Sequence, residues 1–272
     1  MCFILGVQIW DTCADRHVRR TYLGHAGGVR DAKFGASGLN FLSASYDRHV
    51  KLWDTETGAC LSDFAHDKVP NCVTWDPNDP NIFLVGSANR KLIQYDIREG
   101  KMVLEYDYHL GGVTTITFFD GGRRLVSTGE DRQMLVWDYN APVPIKYIKD
   151  PTMMAIPAVA MHPDGESFVG QSMDNKLVVY HSTERVSLNR KKTFTGHVTA
   201  GYACRPCFSP NGRFVASGDG EGQLWFWEWK NTHLFKKMKA HDASPTICTA
   251  WHPLEPSIVA TCSWDGTIKL WR

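Results

Sequence analysis

The chain has 272 residues, 43% of them hydrophobic and 10 of them tryptophan, and its 30 basic and 29 acidic side chains leave a net charge of +1. This composition supplies a sizeable core and excludes a disordered chain, and the near-balanced charge excludes bulk attraction to nucleic acid, leaving only local patches. No apolar stretch approaches the length of a membrane span, and Met1 to Gly6 is too short for a signal sequence.

Taken in order, residues 7–11 (Val-Gln-Ile-Trp-Asp) read as the third strand of a repeat whose first two strands are missing, so the chain is expected to be truncated at its N-terminus, with residues 1–6 atypical. Thr21 to Leu23 supplies an outer strand before Gly24-His25. Strands follow near 29–34, 41–45 and 49–53, with Cys60 to Phe64 outermost, then near 71–75, 82–87 and 91–95. After Val103 to Tyr106 come 113–118, 124–128 and 133–137. The copy over 145–180 is the most divergent, with strands near 158–162, 167–171 and 176–180, and a connector over 181–191 follows it. The last strands fall near 202–208, 213–217 and 223–227, then 246–251, 258–262 and 267–271.

The aromatic residue closing each third strand stands at Trp10, Trp53, Tyr95, Trp137, Tyr180, Trp227 and Trp271, at intervals of 43, 42, 42, 43, 47 and 44 residues. Four short strands in so regular a period indicate an all-β propeller of four-stranded blades. The count gives one domain over 1–272: seven blades, the first incomplete and represented by the remnant 7–11, then six repeats over 21–272. Closure is expected to be incomplete, with the last blade showing an open edge or borrowing Phe3-Ile4-Leu5.

A polar pattern is superimposed on the strands. His25, Ser43, Asp47 and Trp53 recur as His109, Ser127, Asp131 and Trp137, and as His241, Thr261, Asp265 and Trp271. The acid lies six residues before the Trp and the hydroxyl four before the acid; a fourth set has His197, Ser217 and Trp227 with Glu221 in the acid position. These groups can satisfy one another inside a blade. Ser, His and Asp also suggest a hydrolase triad, but a catalytic set occurs once per domain and this one recurs at the structural period. No catalytic residue is expected.

Gly-His, a turn Asp and a terminal Trp-Asp at this period resemble the WD-repeat β-propellers over nearly all of residues 7–272. Departures are Asn89 with Tyr95, and Tyr180 with no matching His, so those blades are expected to be held by packing. The phrases Asp54 to Gly58, Gln171 to Asn175, Ala200 to Cys204, Ser217 to Gly220 and Trp251 to Glu255 resemble a splicing branch of that family. That resemblance implies a nuclear, non-catalytic scaffold among spliceosomal proteins, associated with the second transesterification step. Tyr95-Asp96-Ile97-Arg98 approximates the Trp-Asp-x-Arg motif of cullin-RING ligase substrate receptors, the alternative reading.

Eight cysteines without framework spacing read as reduced thiols of a cytosolic or nuclear protein. Cys204-Arg-Pro-Cys207 lacks a second pair of ligands, so no metal is expected there. Gly218 to Gly222 joins two strands and precedes no helix, which argues against a phosphate cradle. No cofactor, membrane or small-molecule substrate is expected. Arg16 to Arg20, Arg190-Lys191-Lys192 and Lys236 to Lys239 are candidates for contact with RNA phosphates. Tyr46, Arg48, Arg90, Arg132, Met153, Met154, Met173 and Trp264 lie at or beside the turns on one face and are candidates for a partner-binding rim.

Overall fold

The structure is a computed structural model describing residues 5–12, 17–183, 185–242 and 244–272. Its residues fall into two compact units, the first Met1–Asp131 with Trp137–Lys146, the second Arg132–Val136 with Tyr147–Arg272. Every described sheet is an antiparallel meander in which each strand pairs with the next in sequence.

In the first unit, β1 (Gly6–Trp10) and β2 (Val18–Leu23) form a two-stranded pair. Strands β3 (Val29–Phe34), β4 (Asn40–Ser45), β5 (His49–Asp54) and β6 (Cys60–Ala65) make a four-stranded sheet in that order. So do β7 (Pro70–Trp75), β8 (Ile82–Ser87), β9 (Leu92–Asp96) and β10 (Lys101–Tyr106). The next sheet begins with β11 (Val113–Phe119) and β12 (Arg124–Gly129); it continues through β13 (Met134–Asp138) and β14 (Pro144–Ile148), where the chain passes between the units.

The second unit holds the sheet of β15 (Ala158–Met161), β16 (Ser167–Ser172), β17 (Lys176–His181) and β18 (Ser187–Phe194). It is followed by β19 (Cys207–Phe208), β20 (Phe214–Gly218), β21 (Gln223–Glu228) and β22 (Leu234–Lys239). Strands β23 (Thr246–Trp251), β24 (Val259–Ser263) and β25 (Ile268–Trp271) form the last, three-stranded sheet. Six sheets of three or four strands thus accompany one two-stranded pair, where seven blades with an incomplete first were expected. No described strand flanks the outer side of β25. Of the segment proposed to fill that place, Phe3 and Ile4 lie outside the described residues.

Two expected boundaries are corrected. The strand expected over 202–208 shrinks to β19, because Ala200 and Gly201 take positive φ (51° and 87°) and the Tyr202 N–H donates to the Thr199 carbonyl, turning the chain. The connector 181–191 contains the start of β18, an eight-residue outer strand paired to β17 with a register shift, which accommodates the extra residues of the longest repeat interval.

The repeat period is written directly into hydrogen bonds between successive sheets. In the first unit the Val73 N–H donates to Asp31 Oδ2 (3.1 Å), the Trp75 indole to the Lys33 carbonyl (3.0 Å) and Asn71 Nδ2 to the Val113 carbonyl (2.9 Å), each pair 42 residues apart. In the second, Thr249 Oγ1 donates to the Arg205 carbonyl 44 residues away (2.8 Å). Between these contacts lie the cores. Leu42, Phe64, Phe83 and Val85 pack together in the first unit, and Val169, Phe194, Val215 and Trp227 in the second. Inner strands are therefore covered on both faces, and β4 and β8 are buried almost throughout, whereas the outer β6 and β22 are mostly exposed.

Asp31 is buried and holds a backbone N–H of the neighbouring sheet, so Asp31→Ala strands that donor. Urea unfolding is expected to show a loss of about 1–3 kcal/mol.

Candidate functional site

The recurring polar residues meet as a directed chain of hydrogen bonds. In the first complete sheet the Trp53 indole N–H donates to Ser43 Oγ (2.8 Å), Ser43 Oγ lies 2.6 Å from His25 Nε2, and His25 Nδ1 lies 2.7 Å from Asp47 Oδ2. A carboxylate only accepts, so Nδ1 carries the ring proton, and Ser43 donates to Nε2 of a neutral imidazole. Asp47 Oδ2 also accepts the Ala26 N–H (2.9 Å) and Oδ1 the His49 N–H (3.0 Å), which ties the hairpin turn to the entering loop. Gly24, at φ 152°, permits this approach: a Cβ there would lie 3.1 Å from the Trp53 ring.

The same chain recurs as Trp137–Ser127–His109–Asp131, with steps of 2.8, 2.8 and 3.0 Å, and as Trp271–Thr261–His241–Asp265, with steps of 2.9, 3.0 and 2.9 Å. It has the order of a hydrolase triad, but it cannot act as one. Ser43 and Ser127 are fully buried, and each hydroxyl oxygen already accepts an indole N–H.

The fourth set differs from the expected one. Glu221 does not reach His197; the buried acid is Asp219, whose Oδ2 accepts the Trp225 indole (2.6 Å) while Oδ1 accepts the N–H groups of Glu221 (2.9 Å) and Gln223 (2.8 Å). His197 instead meets Gln171 Oε1 through Nε2 (2.9 Å), Ser217 Oγ donates to the Gly218 carbonyl (3.2 Å), and the Trp227 indole donates to the Thr195 carbonyl (3.3 Å). Glu has one methylene too many for the turn position, and the shorter Asp two residues earlier caps the same N–H that Ser45 caps at Asp47 (3.2 Å). The spacing of a second acid inside Gly218-Asp-Gly-Glu-Gly222 was the available signal.

Where the Trp is replaced, the stack that Phe41 makes on Trp53 (6.3 Å, 15°) is retained by the Tyr. Tyr95 stacks on Phe83 (centroids 5.3 Å, 13°) and meets His66 edge-on, a histidine the repeat pattern passed over in a copy where Asn89 stands at the turn-acid position and Tyr95 at the Trp position. Tyr180 stacks on Phe168 (5.2 Å, 13°).

The candidate rim residues occur in both units. In the first, Tyr46 is 37% exposed beneath the Arg30 guanidinium (5.1 Å). Arg48 and Arg90 are exposed, with positive φ of 69° and 75°. In the second, exposed Arg132 also has positive φ (58°). Trp264 is 44% exposed and edge-on to Tyr202 (4.8 Å), while Met153, Met154 and Met173 are half-buried.

The basic runs are largely engaged. Arg19 pairs with Asp11 (2.6 Å), and Arg20 donates to the Thr57 carbonyl (2.8 Å); Arg16 lies outside the described residues. Arg190 approaches Asp150 (3.7 Å), Lys192 sits over the Trp229 ring (3.5 Å) with burial holding its pKa below the usual value, and Lys191 is exposed. Lys237 lies over Trp225 (4.3 Å), and Lys239 donates to the Glu221 carbonyl (2.8 Å). In the ligase-like motif, Tyr95 is buried, and Arg98 folds back to donate through Nε to both Asp96 carboxylate oxygens (3.0 and 3.1 Å).

Burial pushes the Cys204 and Cys207 thiols up to about 12, disfavouring the thiolate a metal needs. Among the described residues, no three His, Cys, Asp or Glu side chains are placed to hold a metal ion.

A family model described as "WD domain, G-beta repeat" matches residues 16–54, 58–96, 100–138, 188–228 and 232–272. It passes over all of the divergent copy at 145–180. Across 267 residues, 97% of this chain, the sequence is 49% identical to pre-mRNA-processing factor 17 of Mus musculus and 48% identical to that of Homo sapiens. The Saccharomyces cerevisiae protein of the same name is 34% identical over 265 residues, 96% of this chain. The chain spans 46% of the length of the mouse and human proteins and 58% of the yeast one.

Two outcomes follow from the buried polar sets. Ser127→Ala leaves the Trp137 indole and His109 Nε2 both unpaired, with an expected cost of about 2–3 kcal/mol in urea unfolding. His66 and His197 are lowered by burial from 6.5 to about 4, so they stay neutral when folded while the unfolded chain takes up protons first. Their contribution is complete above about pH 6.5 and is lost as pH falls toward 4. The urea midpoint should drop over that window, with a shallower slope in His66→Gln and His197→Gln.

Proposed function

The chain belongs to the WD-repeat family, and from that premise we propose that it serves as a nuclear, non-catalytic scaffold of the spliceosome, acting at the second step of pre-mRNA splicing. The observation that carries this reading is the 48–49% identity to pre-mRNA-processing factor 17 across 97% of the chain. The polar sets support it chemically. Their Ser, His and acid groups are consumed in holding turns to strands, so chemistry is left to other components and the exposed turns are left to partners.

Docking is assigned to the turn residues: Tyr46, Arg48 and Arg90 in the first unit, and Arg132, Met153, Met154, Met173 and Trp264 in the second. Aromatic, Met and Arg side chains suit such contacts because they bring large contact areas and several donors. Phosphate contact by the 190–192 run draws less support, since Arg190 and Lys192 are already engaged and Lys191 alone stands clear. The ligase reading loses its Arg in the same way, through Asp96.

Immunopurification from nuclear extract is expected to bring down spliceosomal proteins and small nuclear RNAs. Recovery of a cullin adaptor without them would overturn the proposal. Depleted extract should accumulate the cleaved first exon and lariat intermediate, the signature of a second-step block, whereas arrest at uncut pre-mRNA would contradict the assigned step. Tyr46→Ala and Trp264→Ala are expected to weaken partner capture. In Arg48→Gly, stability should be unchanged or higher by up to about 1 kcal/mol, because Gly tolerates the left-handed backbone better, while capture falls.

A further inference from the structure

The second unit carries an apolar groove of about 260 Å³ that shares only the Trp271 ring with a polar set and is lined by none of the candidate rim residues. Its walls are aromatic. Phe214 meets Phe235 (centroids 4.9 Å) and stacks with Trp251 (6.4 Å, 15°), Phe226 meets Trp251 edge-on (5.6 Å, 83°), and Trp271 lines the same groove. Phe235 is 61% exposed although it is the largest apolar side chain on β22, so its ring is presented to solvent at the mouth and not spent on the core.

The ionisable side chains lining the groove are cations, Lys236 and Arg272, and no carboxylate joins them. The Lys236 ammonium is exposed on β22, and its two basic neighbours on that strand are held elsewhere, Lys237 over Trp225 and Lys239 on the Glu221 carbonyl. Arg213 adds a third cation, its guanidinium 5.7 Å from the Phe214 ring centroid. Arg272 touches Glu255 at 3.4 Å, with both side chains about half exposed or more, a contact that a competing carboxylate can replace at little cost.

We infer that this groove is a docking site for an extended peptide segment of a partner protein that carries an aromatic or aliphatic anchor flanked by Asp or Glu. The anchor would occupy the space among Phe214, Phe226 and Trp251, and the flanking carboxylates would pair with Lys236 and Arg272. The charge pattern favours this occupant over RNA, whose regularly spaced phosphates call for a file of cations along a groove, not cations at the mouth of an apolar hole. It also disfavours a basic peptide, which would meet like charge. The inference does not depend on the spliceosomal assignment.

The test is a phage-displayed random dodecapeptide library selected on the folded chain. Enriched peptides are expected to combine Trp, Phe or Leu with Asp or Glu, and to bind at least tenfold more weakly to Phe235→Ala and to Lys236→Glu. Both positions are exposed, and thermal unfolding of the variants should match the parent. Enrichment of neutral or basic sequences, no enrichment above background, or acidic binders unaffected by both substitutions would overturn the proposal. So would sedimentation showing a dimer that Phe235→Ala dissolves, since the occupant would then be a second copy.

Discussion

The step on which the sheets depend is the hydroxyl that accepts from an indole and donates to an imidazole: Ser43, Ser127 or Thr261. It has a fixed direction. The Trp N–H can only donate and the Asp carboxylate can only accept, so in each set Nδ1 carries a proton toward the acid. Burial lowers the pKa of His25, which favours its neutral form. Burial alone would raise the Asp47 carboxyl, but donation from His25 and from the Ala26 and His49 N–H groups outweighs it and holds the acid ionised. The result pins three pieces of chain that are distant in sequence, the entering loop, the second strand and the third strand, through a single buried atom. Replacing any member leaves its neighbours buried without partners; where the turn Asp is absent, His197, Ser217 and Trp227 each find a different partner.

Where the set is missing, the aromatic stack that accompanies it at Phe41 and Trp53 remains without it. Tyr95 and Tyr180 each stack on a phenylalanine one strand away, and no hydroxyl needs to be buried at the position of Ser43. Sheets with and without the set coexist because the backbone frame is set elsewhere, by hydrogen bonds such as Val73 to Asp31 and Asn71 to Val113 that connect equivalent strands one period apart.

That frame was the most legible part of the sequence. A period of 42 or 43 residues in the third-strand aromatics and a separation of 42 in the inter-sheet hydrogen bonds are the same fact seen twice. What the spacing could not show was competition among neighbours of similar chemistry. Asp219 and Glu221 both fit a loose reading of the turn acid, and only the reach of one methylene separates them. Lys192 looked like its neighbours in a basic run, yet the Trp229 ring beneath it comes from a strand-end distant in sequence. The strand expected at 202–208 failed for a local reason, two consecutive residues at positive φ, which Ala200 did not advertise.

The turns separate what the fold needs from what it presents. Arg48, Arg90 and Arg132 occupy left-handed backbone at the position where the later sheets place Asn175, Gly222 and Gly266. Holding a side chain there costs about 1–2 kcal/mol that glycine avoids, partly offset by the roughly 0.5–1 kcal/mol of extra entropy glycine loses on folding. The polar set does not demand it, because Arg90 follows Asn89 in a sheet where the hydroxyl position is held by Val85, and Asn89 Oδ1 caps the Lys91 N–H (3.3 Å) as Asp47 caps that of His49. Nor do intramolecular partners explain it, since no hydrogen bond, ion pair or ring contact engages these three side chains among the described residues. The cost recurs at the same turn position in three successive sheets, so it belongs to the turn and not to the packing of any one sheet.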